Sequence, residues 1–202
     1  WDPSARILSS TMLAGGISCD MVLLQIERRP NQLEHVVARF PFSTPEELRP
    51  NAVDLEYRAV SQAVNVGLPC SRPLFRTEKG LLLEYLPGRP TASPDDVDSF
   101  VDQFADLLAT IHSVSPDHFQ FLPRLSERIR PSIDEPNRAL REPEIRSILG
   151  SLTPRWPTEQ CLLHGDLWPG NVLWEEGRLV GVVDWENASV GPALADLAIS
   201  RL

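Results

Sequence analysis

The chain has 202 residues, of which 42% are hydrophobic and 23% charged, and its net charge is −9. That is enough chain for one large domain or two small lobes, with an ordinary soluble composition and a sizeable core. The acidic balance argues against a face built for a phosphate backbone, so no nucleic-acid partner is expected; it fits a cytosolic protein and weakly fits a cationic small substrate.

No apolar run approaches the ~20 residues of a membrane span, so no membrane partner is expected either. Trp1-Asp2-Pro3-Ser4 lacks a basic-then-apolar signal pattern, and without an initiator Met the chain need not begin where its gene does. Cys19, Cys70 and Cys161 are far apart and form no CxxC pair, so three reduced, mostly buried thiols are expected.

The first forty residues read as β-rich. Arg6 to Leu13 leads into the turn Ala14-Gly15-Gly16. A second strand covers Met21 to Ile26. A polar loop over Glu27 to Glu34 precedes a third strand, His35 to Phe40, which stops at Pro41. Three strands with short links suggest an antiparallel meander. Leu55, Ala59, Ala63 and Val66, with Val60 and Val64, then repeat at three- and four-residue spacing. Asn51 is the candidate N-cap of that helix and Gly67 its stop. Short strands over Pro73–Arg76 and Leu81–Leu86 flank Glu78-Lys79-Gly80, and Pro87-Gly88-Arg89-Pro90 marks a lobe boundary.

Beyond that boundary the pattern turns helical. Ser93 as cap, Pro94 at the first position and Asp96 completing a capping box predict a helix with Phe100, Phe104, Leu107, Leu108 and Ile111 as its apolar stripe. Residues 116–158 are rich in Pro and charge, with helical pieces near Leu125–Ile133 and Arg138–Leu149. The end is β-like again: Cys161–Leu163, Val172–Trp174 and Leu179–Asp184, with Glu176-Gly177 as a hairpin turn and a final helix from about Pro192. A cleft between two such lobes is a natural small-molecule site.

The segment His164-Gly165-Asp166-Leu167-Trp168-Pro169-Gly170-Asn171 stands between strands. It reproduces the kinase catalytic loop H-R-D-L-x-x-x-N with Gly165 in place of Arg. Phosphoryl transfer needs a positioned nucleophile, bound metal and cations on the phosphates rather than covalent help. Asp166 would accept or orient the proton of a substrate hydroxyl. Asn171 offers an uncharged oxygen to a magnesium ion, and Asp184, closing an apolar strand, offers a carboxylate. Trp185-Glu186 follow Asp184, so the Phe-based switch of protein kinases is not encoded. Singly, each residue also fits a turn or a cap. Together they specify an order that turns and caps do not. His164 reads as a residue that holds the loop.

H-G-D-L-W-P-G-N-V-L followed by V-V-D-W-E-N-A-S-V-G-P-A-L-A-D-L-A resembles the aminoglycoside phosphotransferase and choline-kinase-like family of small-molecule kinases. The N-terminal half agrees more loosely, in layout. The resemblance implies a protein-kinase-like bilobal α+β fold, with a β-rich nucleotide-binding lobe over residues 1–86 and a mainly helical catalytic lobe over 87–202 that is C-terminally truncated. The family's following helices supply much of its substrate pocket, so the acceptor is not readable: an aminoglycoside-like amine, a macrolide, a sugar or an amino alcohol all fit. ATP and Mg²⁺ are the implied cofactors, and a small-molecule hydroxyl the implied acceptor. Asp166 becomes the catalytic base, Asn171 and Asp184 the magnesium ligands, Glu186 a weaker candidate near the metals, and Asp196 a buttress of the catalytic segment. The family's third-strand Lys is replaced by Arg39, with Glu56 as its partner on the next helix; alternatively Arg39 is a surface residue of an edge strand. Gly16 and Ser18 match the turn over the phosphates, and the Glu84 carbonyl and Leu86 amide match the adenine-binding connector. Two rivals stay open: a nucleotide-binding pseudokinase on the same fold, and a metal-dependent hydrolase using His164 and Asp166, which would want further His ligands nearby.

Overall fold

The computed structural model describes residues 2–13, 18–42, 51–128, 136–151 and 159–200. Strands β1 (Arg6–Leu13), β2 (Cys19–Arg29), β3 (Gln32–Pro41), β4 (Pro73–Arg76) and β5 (Leu81–Glu84) form one antiparallel sheet in the order β1-β2-β3-β5-β4. The expected meander is present, but the expected polar loop over Glu27 to Glu34 is not. The ladder runs on through Glu27↔Leu33 and Arg29↔Gln32, leaving only Pro30 and Asn31 to turn. Asn31 takes φ 66°, a left-handed conformation that Asn tolerates. The charges that suggested a loop lie along the ribbon, with Arg28 3.5 Å from Glu34 and 3.5 Å from Asp2. Such exposed pairs contribute ~0–1 kcal/mol each, so backbone pairing rather than side-chain burial carries this end of the ribbon.

Helix α1 (Ala52–Asn65) buries Ala59, Val60 and Ala63 as its spacing predicts, and Glu56 with them. Asn51 precedes it with φ 59° and makes no side-chain cap bond, contrary to expectation. The helix ends at Gly67, whose φ of +86° lets its N–H reach the Val64 carbonyl while Leu68 N–H reaches Ala63. Strand β5 stops at Glu84, two residues earlier than expected.

Helix α2 (Val97–Ser113) starts later than Ser93 and Pro94 suggest. Its cap is Asp96, whose carboxylate accepts the Ser99 N–H at 3.0 Å. A charged acceptor is favoured at that end of the helix dipole. Phe104, Leu107, Leu108 and Ile111 are buried, with Phe100 packed beside them. They share one core with Ala59, Val60 and Ala63 of α1 and with Leu162, Leu167, Val172, Trp174, Val182 and Trp185. Burying each large apolar side chain contributes ~1.5–3 kcal/mol, well above any helix-propensity difference between them.

Of the expected Leu125–Ile133 helix, α3 (Leu125–Arg128) is described and the rest lies outside the described residues. The expected Arg138–Leu149 helix is split. A 3₁₀ turn over Arg138–Leu140 gives way, at left-handed Arg141 (φ 55°), to α4 (Glu142–Ser151). Strand β6 (Cys161–Leu163) pairs with β9 (Ser189–Gly191), a strand too short to leave a periodic signature. Strands β7 (Val172–Glu175) and β8 (Arg178–Val182) form the expected hairpin through Glu176-Gly177, both at positive φ. Strand β8 ends before Asp184 rather than at it. Helix α5 (Leu194–Ile199) follows. Among the described residues, no helix is long and apolar enough to cross a membrane.

The β7–β8 hairpin is tied to the chain on both sides of residue 86. Val182 N–H bonds the Pro69 carbonyl at 2.8 Å, and Arg89 and Trp174 exchange two backbone bonds of 2.9 Å. Gly88 makes the second tie possible: a Cβ there would sit 2.8 Å from the Trp174 carbonyl oxygen.

Candidate active site

Strand β6, with Leu162 and Leu163 fully buried, delivers His164 into the core. The His164 ring lies 4.8 Å from that of Trp185, its Nε2 3.0 Å from the Val183 carbonyl. Its Nδ1 accepts the Asp166 N–H at 3.3 Å, so Nε2 carries the proton. Burial holds its pKa below the ordinary imidazole value, outweighing the nearby carboxylates of Asp196, Asp184 and Asp166. The expected loop-holding role is what its bonds perform.

Gly165 has φ +81°, and a Cβ there would lie 2.1 Å from the Asn187 carbonyl oxygen. Neither the backbone angle nor the space admits the Arg of protein kinases. Asp196, fully buried at the start of α5, accepts the backbone N–H of His164 at 2.9 Å through Oδ2 and of Gly165 at 2.8 Å through Oδ1. The expected buttress is therefore a direct two-point clamp on the loop.

The loop then turns at Pro169–Asn171 and enters β7. The Asn171 amide nitrogen donates to the Asp166 carbonyl at 2.8 Å and to Asp166 Oδ2 at 3.2 Å. The Asn171 carbonyl accepts the Val183 N–H at 2.9 Å, which sets Asp184 next to the loop. Asp166 is partly buried. Burial raises its pKa above the ordinary value, His164 opposes this, and the charge of Asp184 adds to it.

Arg39 lies on central strand β3 and is only 2% exposed, which removes the surface edge-strand alternative. Its Nη1 donates to Glu56 at 2.5 Å, as the resemblance implies. Its Nη2 donates to Asp184 Oδ1 at 2.7 Å and to Glu186 Oε2 at 2.8 Å. Burial alone would lower the pKa of the guanidinium, but Glu56 and then Asp184 more than offset it and hold Arg39 above its ordinary value. Asp184 itself sits at φ 67°, turned out of the strand toward Arg39.

Other candidates are placed less closely. Gly16 lies outside the described residues. Ser18 is half-buried at the start of β2, its carbonyl accepting the Phe42 N–H at 2.9 Å. The Glu84 carbonyl already accepts the Ser71 hydroxyl, leaving one lone pair for another donor. Leu86 is half-buried, its side chain against Gly181 of β8, so the connector runs beside the hairpin that leads to Asp184.

Magnesium typically takes one or two protein oxygens and completes its shell with phosphate and water. Asn171 fits, because its amide nitrogen is spent on Asp166 and its Oδ1 remains an acceptor. Asp184 fits, because Arg39 engages Oδ1 and leaves Oδ2. Among the described residues, no group of three His, Cys, Asp or Glu could hold a metal by itself. Both ring nitrogens of His164 are spent, on the Asp166 N–H and the Val183 carbonyl, which leaves no lone pair for the metal of the hydrolase alternative.

Three contributors escaped the sequence reading. His112, at the end of α2, places Nε2 3.0 Å from Asp196 Oδ2. Arg128 of α3 donates to the Glu186 carbonyl at 3.0 Å. The Ser200 hydroxyl donates to the Leu167 carbonyl at 2.7 Å. Only His112 carried a signal, being a titratable residue beside the fully buried Ile111.

A five-stranded antiparallel sheet, a helix supplying a buried Glu to a strand cation, and a loop and hairpin joining Asp, Asn and Asp define a protein-kinase-like α+β fold. Solved structures agree on that fold. Macrolide 2'-phosphotransferase MphH from Brachybacterium faecium aligns with a TM-score of 0.66 at 21% identity, covering 94% of this chain and 69% of that one. A streptomycin–ATP–APH(2")-IIa ternary complex aligns with a TM-score of 0.66 at 16% identity, covering 95% and 69%. The phosphotransferase enzyme family (APH) matches residues 11–201, and the chain belongs to that family. Homoserine kinase of Pseudomonas aeruginosa is 29% identical over 154 residues, which cover 66% of this chain and 48% of that protein. The chain thus spans about half the length of that curated relative.

Proposed function

We propose that the protein is an ATP-dependent small-molecule kinase that moves the γ-phosphoryl group to a hydroxyl of its acceptor. The observation that carries this reading is Asn171, whose side-chain amide holds Asp166 and whose backbone carbonyl accepts the Val183 N–H beside Asp184. Residues 1–86 act as the nucleotide lobe and 87–202 as the catalytic lobe, and the enzyme works in the cytoplasm. That a relative's structure holds ATP and streptomycin, and that another relative is a homoserine kinase, supports ATP as donor and a small polar acceptor.

In this reading the acceptor hydroxyl docks against the Asp166 carboxylate, which the Asn171 amide orients through Oδ2. As the acceptor oxygen forms its bond to the γ-phosphorus and the bond to the ADP oxygen breaks, the hydroxyl proton passes to Asp166. Magnesium held by Asn171 and Asp184 would neutralise charge on the phosphates. Arg39, paired with Glu56, faces the phosphates; Ser18 approaches them, with Gly16, outside the described residues, as the resemblance's further contact; the Glu84 carbonyl and Leu86 amide bond adenine. The Asp184-Trp185-Glu186 segment fixes its ligand through Arg39 and Arg128 rather than through a Phe switch.

The test is a phosphotransfer screen of the intact protein with Mg-ATP against amines, aminoglycosides, sugars, macrolides and amino alcohols, homoserine included. Acceptor-dependent ADP release with a phosphorylated product is expected. Absence of both turnover and nucleotide binding would overturn the reading and favour a different use of the fold.

Arg39→Ala is expected to weaken nucleotide binding at least about tenfold and to destabilise the fold by about 3–5 kcal/mol, since it strands buried carboxylates. Calorimetric titration and urea unfolding measure the two effects. Unchanged nucleotide affinity would remove Arg39 from the phosphate site.

A further inference from the structure

Arg39 is meant to meet phosphates, yet it is almost wholly enclosed and three carboxylates bond it. Glu56 takes Nη1 from the helix side. Asp184 and Glu186 both take Nη2, which has two hydrogens and no more. An anion approaching Nη2 therefore meets two negative groups before it meets the cation. Among the described residues, the Arg39 guanidinium faces Glu56, Asp184 and Glu186, with Asp166 close enough to feel Asp184 and Glu186.

From this geometry we infer that Glu186 is a specificity-determining residue that makes the site accept the metal-complexed nucleotide and reject the free one. The inference rests on the proposed nucleotide site. Free nucleotide brings up to four negative charges to a guanidinium whose two Nη2 hydrogens are already donated. Binding it would break two charge-assisted bonds and press phosphate against two carboxylates. A divalent cation arriving with the phosphates changes both terms. Asp184, a quarter exposed by its side chain, can turn an oxygen to the cation and release one hydrogen of Nη2. Glu186 is more deeply set, at 13%, and keeps the other hydrogen. Its backbone is also pinned, because Arg128 donates to its carbonyl at 3.0 Å. Glu186 thus stays in place as a fixed charge, and its repulsion falls on any phosphate that lacks a metal. The Trp185-Glu186 that follows Asp184 would then serve as a filter for the metal complex.

The test measures ADP and ATP affinity of the intact protein by calorimetry, with Mg²⁺ and with EDTA, in wild type and in Glu186→Gln. Gln keeps an acceptor for Nη2 and loses the charge. The wild type is expected to bind the metal complex at least about tenfold more tightly than the free nucleotide. In Glu186→Gln that ratio is expected to shrink about tenfold, chiefly through tighter metal-free binding. A ratio unchanged by the substitution would overturn the filter and leave the nucleotide site standing. Equal wild-type affinity with Mg²⁺ and EDTA would overturn it too. No binding by the wild type in either condition would remove the nucleotide site, and the filter with it. Should Glu186→Gln fold poorly, Arg128→Gln offers a second route: by freeing the Glu186 backbone it should loosen metal selection in the same direction, and an unchanged ratio there would count against the filter.

Discussion

Asp166→Ala is expected to lower kcat by about 10²–10⁴-fold while leaving nucleotide affinity within a few fold of wild type. Among the described residues, the carboxylate is the only charged group that the Asn171 amide orients, and it makes no bond to Arg39. Its removal should therefore touch proton transfer and acceptor alignment without dismantling the phosphate side. The fold should not suffer, because a part-buried carboxylate beside Asp184 and Glu186 is a liability to stability. The same crowding sets a pH signature. Asp166 must be ionised to accept a proton, and burial raises its pKa above the ordinary 3.8. In the wild type kcat/KM should then fall, as pH drops, through a pKa above that of an ordinary Asp. An alanine variant with full turnover would refute the assignment of the base, and an acid limb at or below 3.8 would refute the environment described for it.

Asp196→Ala should have the opposite profile, with a large loss of stability before any question of rate. The fully buried carboxylate clamps two consecutive loop N–H groups and faces His112. Alanine leaves both N–H groups buried and unpaired, at about 1–3 kcal/mol each. The total of roughly 2–6 kcal/mol corresponds to a drop in Tm on the order of 10 °C for a chain of this size. Asn, which keeps one acceptor oxygen, should fall in between. Urea and thermal unfolding of the two variants measure this. A melting temperature for Asp196→Ala equal to wild type would show that the loop does not depend on the clamp.

The contrast between these two aspartates shows what the sequence carries. Asp166 was legible because its neighbours in the chain form a pattern whose parts are needed together. Asp196 was legible only through a resemblance, since its partners, His164, Gly165 and His112, come from two other elements. Arg39 shows the limit more sharply. Its pairing with Glu56 is implied by the family resemblance, but Asp184 and Glu186 lie some 145 residues away, and no periodicity reports such a contact. Elements with an apolar stripe, such as α2, are read from spacing. The charged ends of β2 and β3, and β9, are not. The ends of β2 and β3 looked like a loop because they are charged, and β9 has three residues. Ser93 and Asp96 are both good caps for α2, and only the geometry chooses Asp96.

The two ties on the β7–β8 hairpin carry a mechanical consequence. One joins it to Pro69 and the other to Arg89, on either side of strands β4 and β5. Separating the sheet side from the hairpin would break three backbone bonds and part Val172, Trp174 and Val182 from the core that they share with α1. From the sheet, the bonds of Arg39 to Asp184 and Glu186 add a charged fastening to that apolar seam.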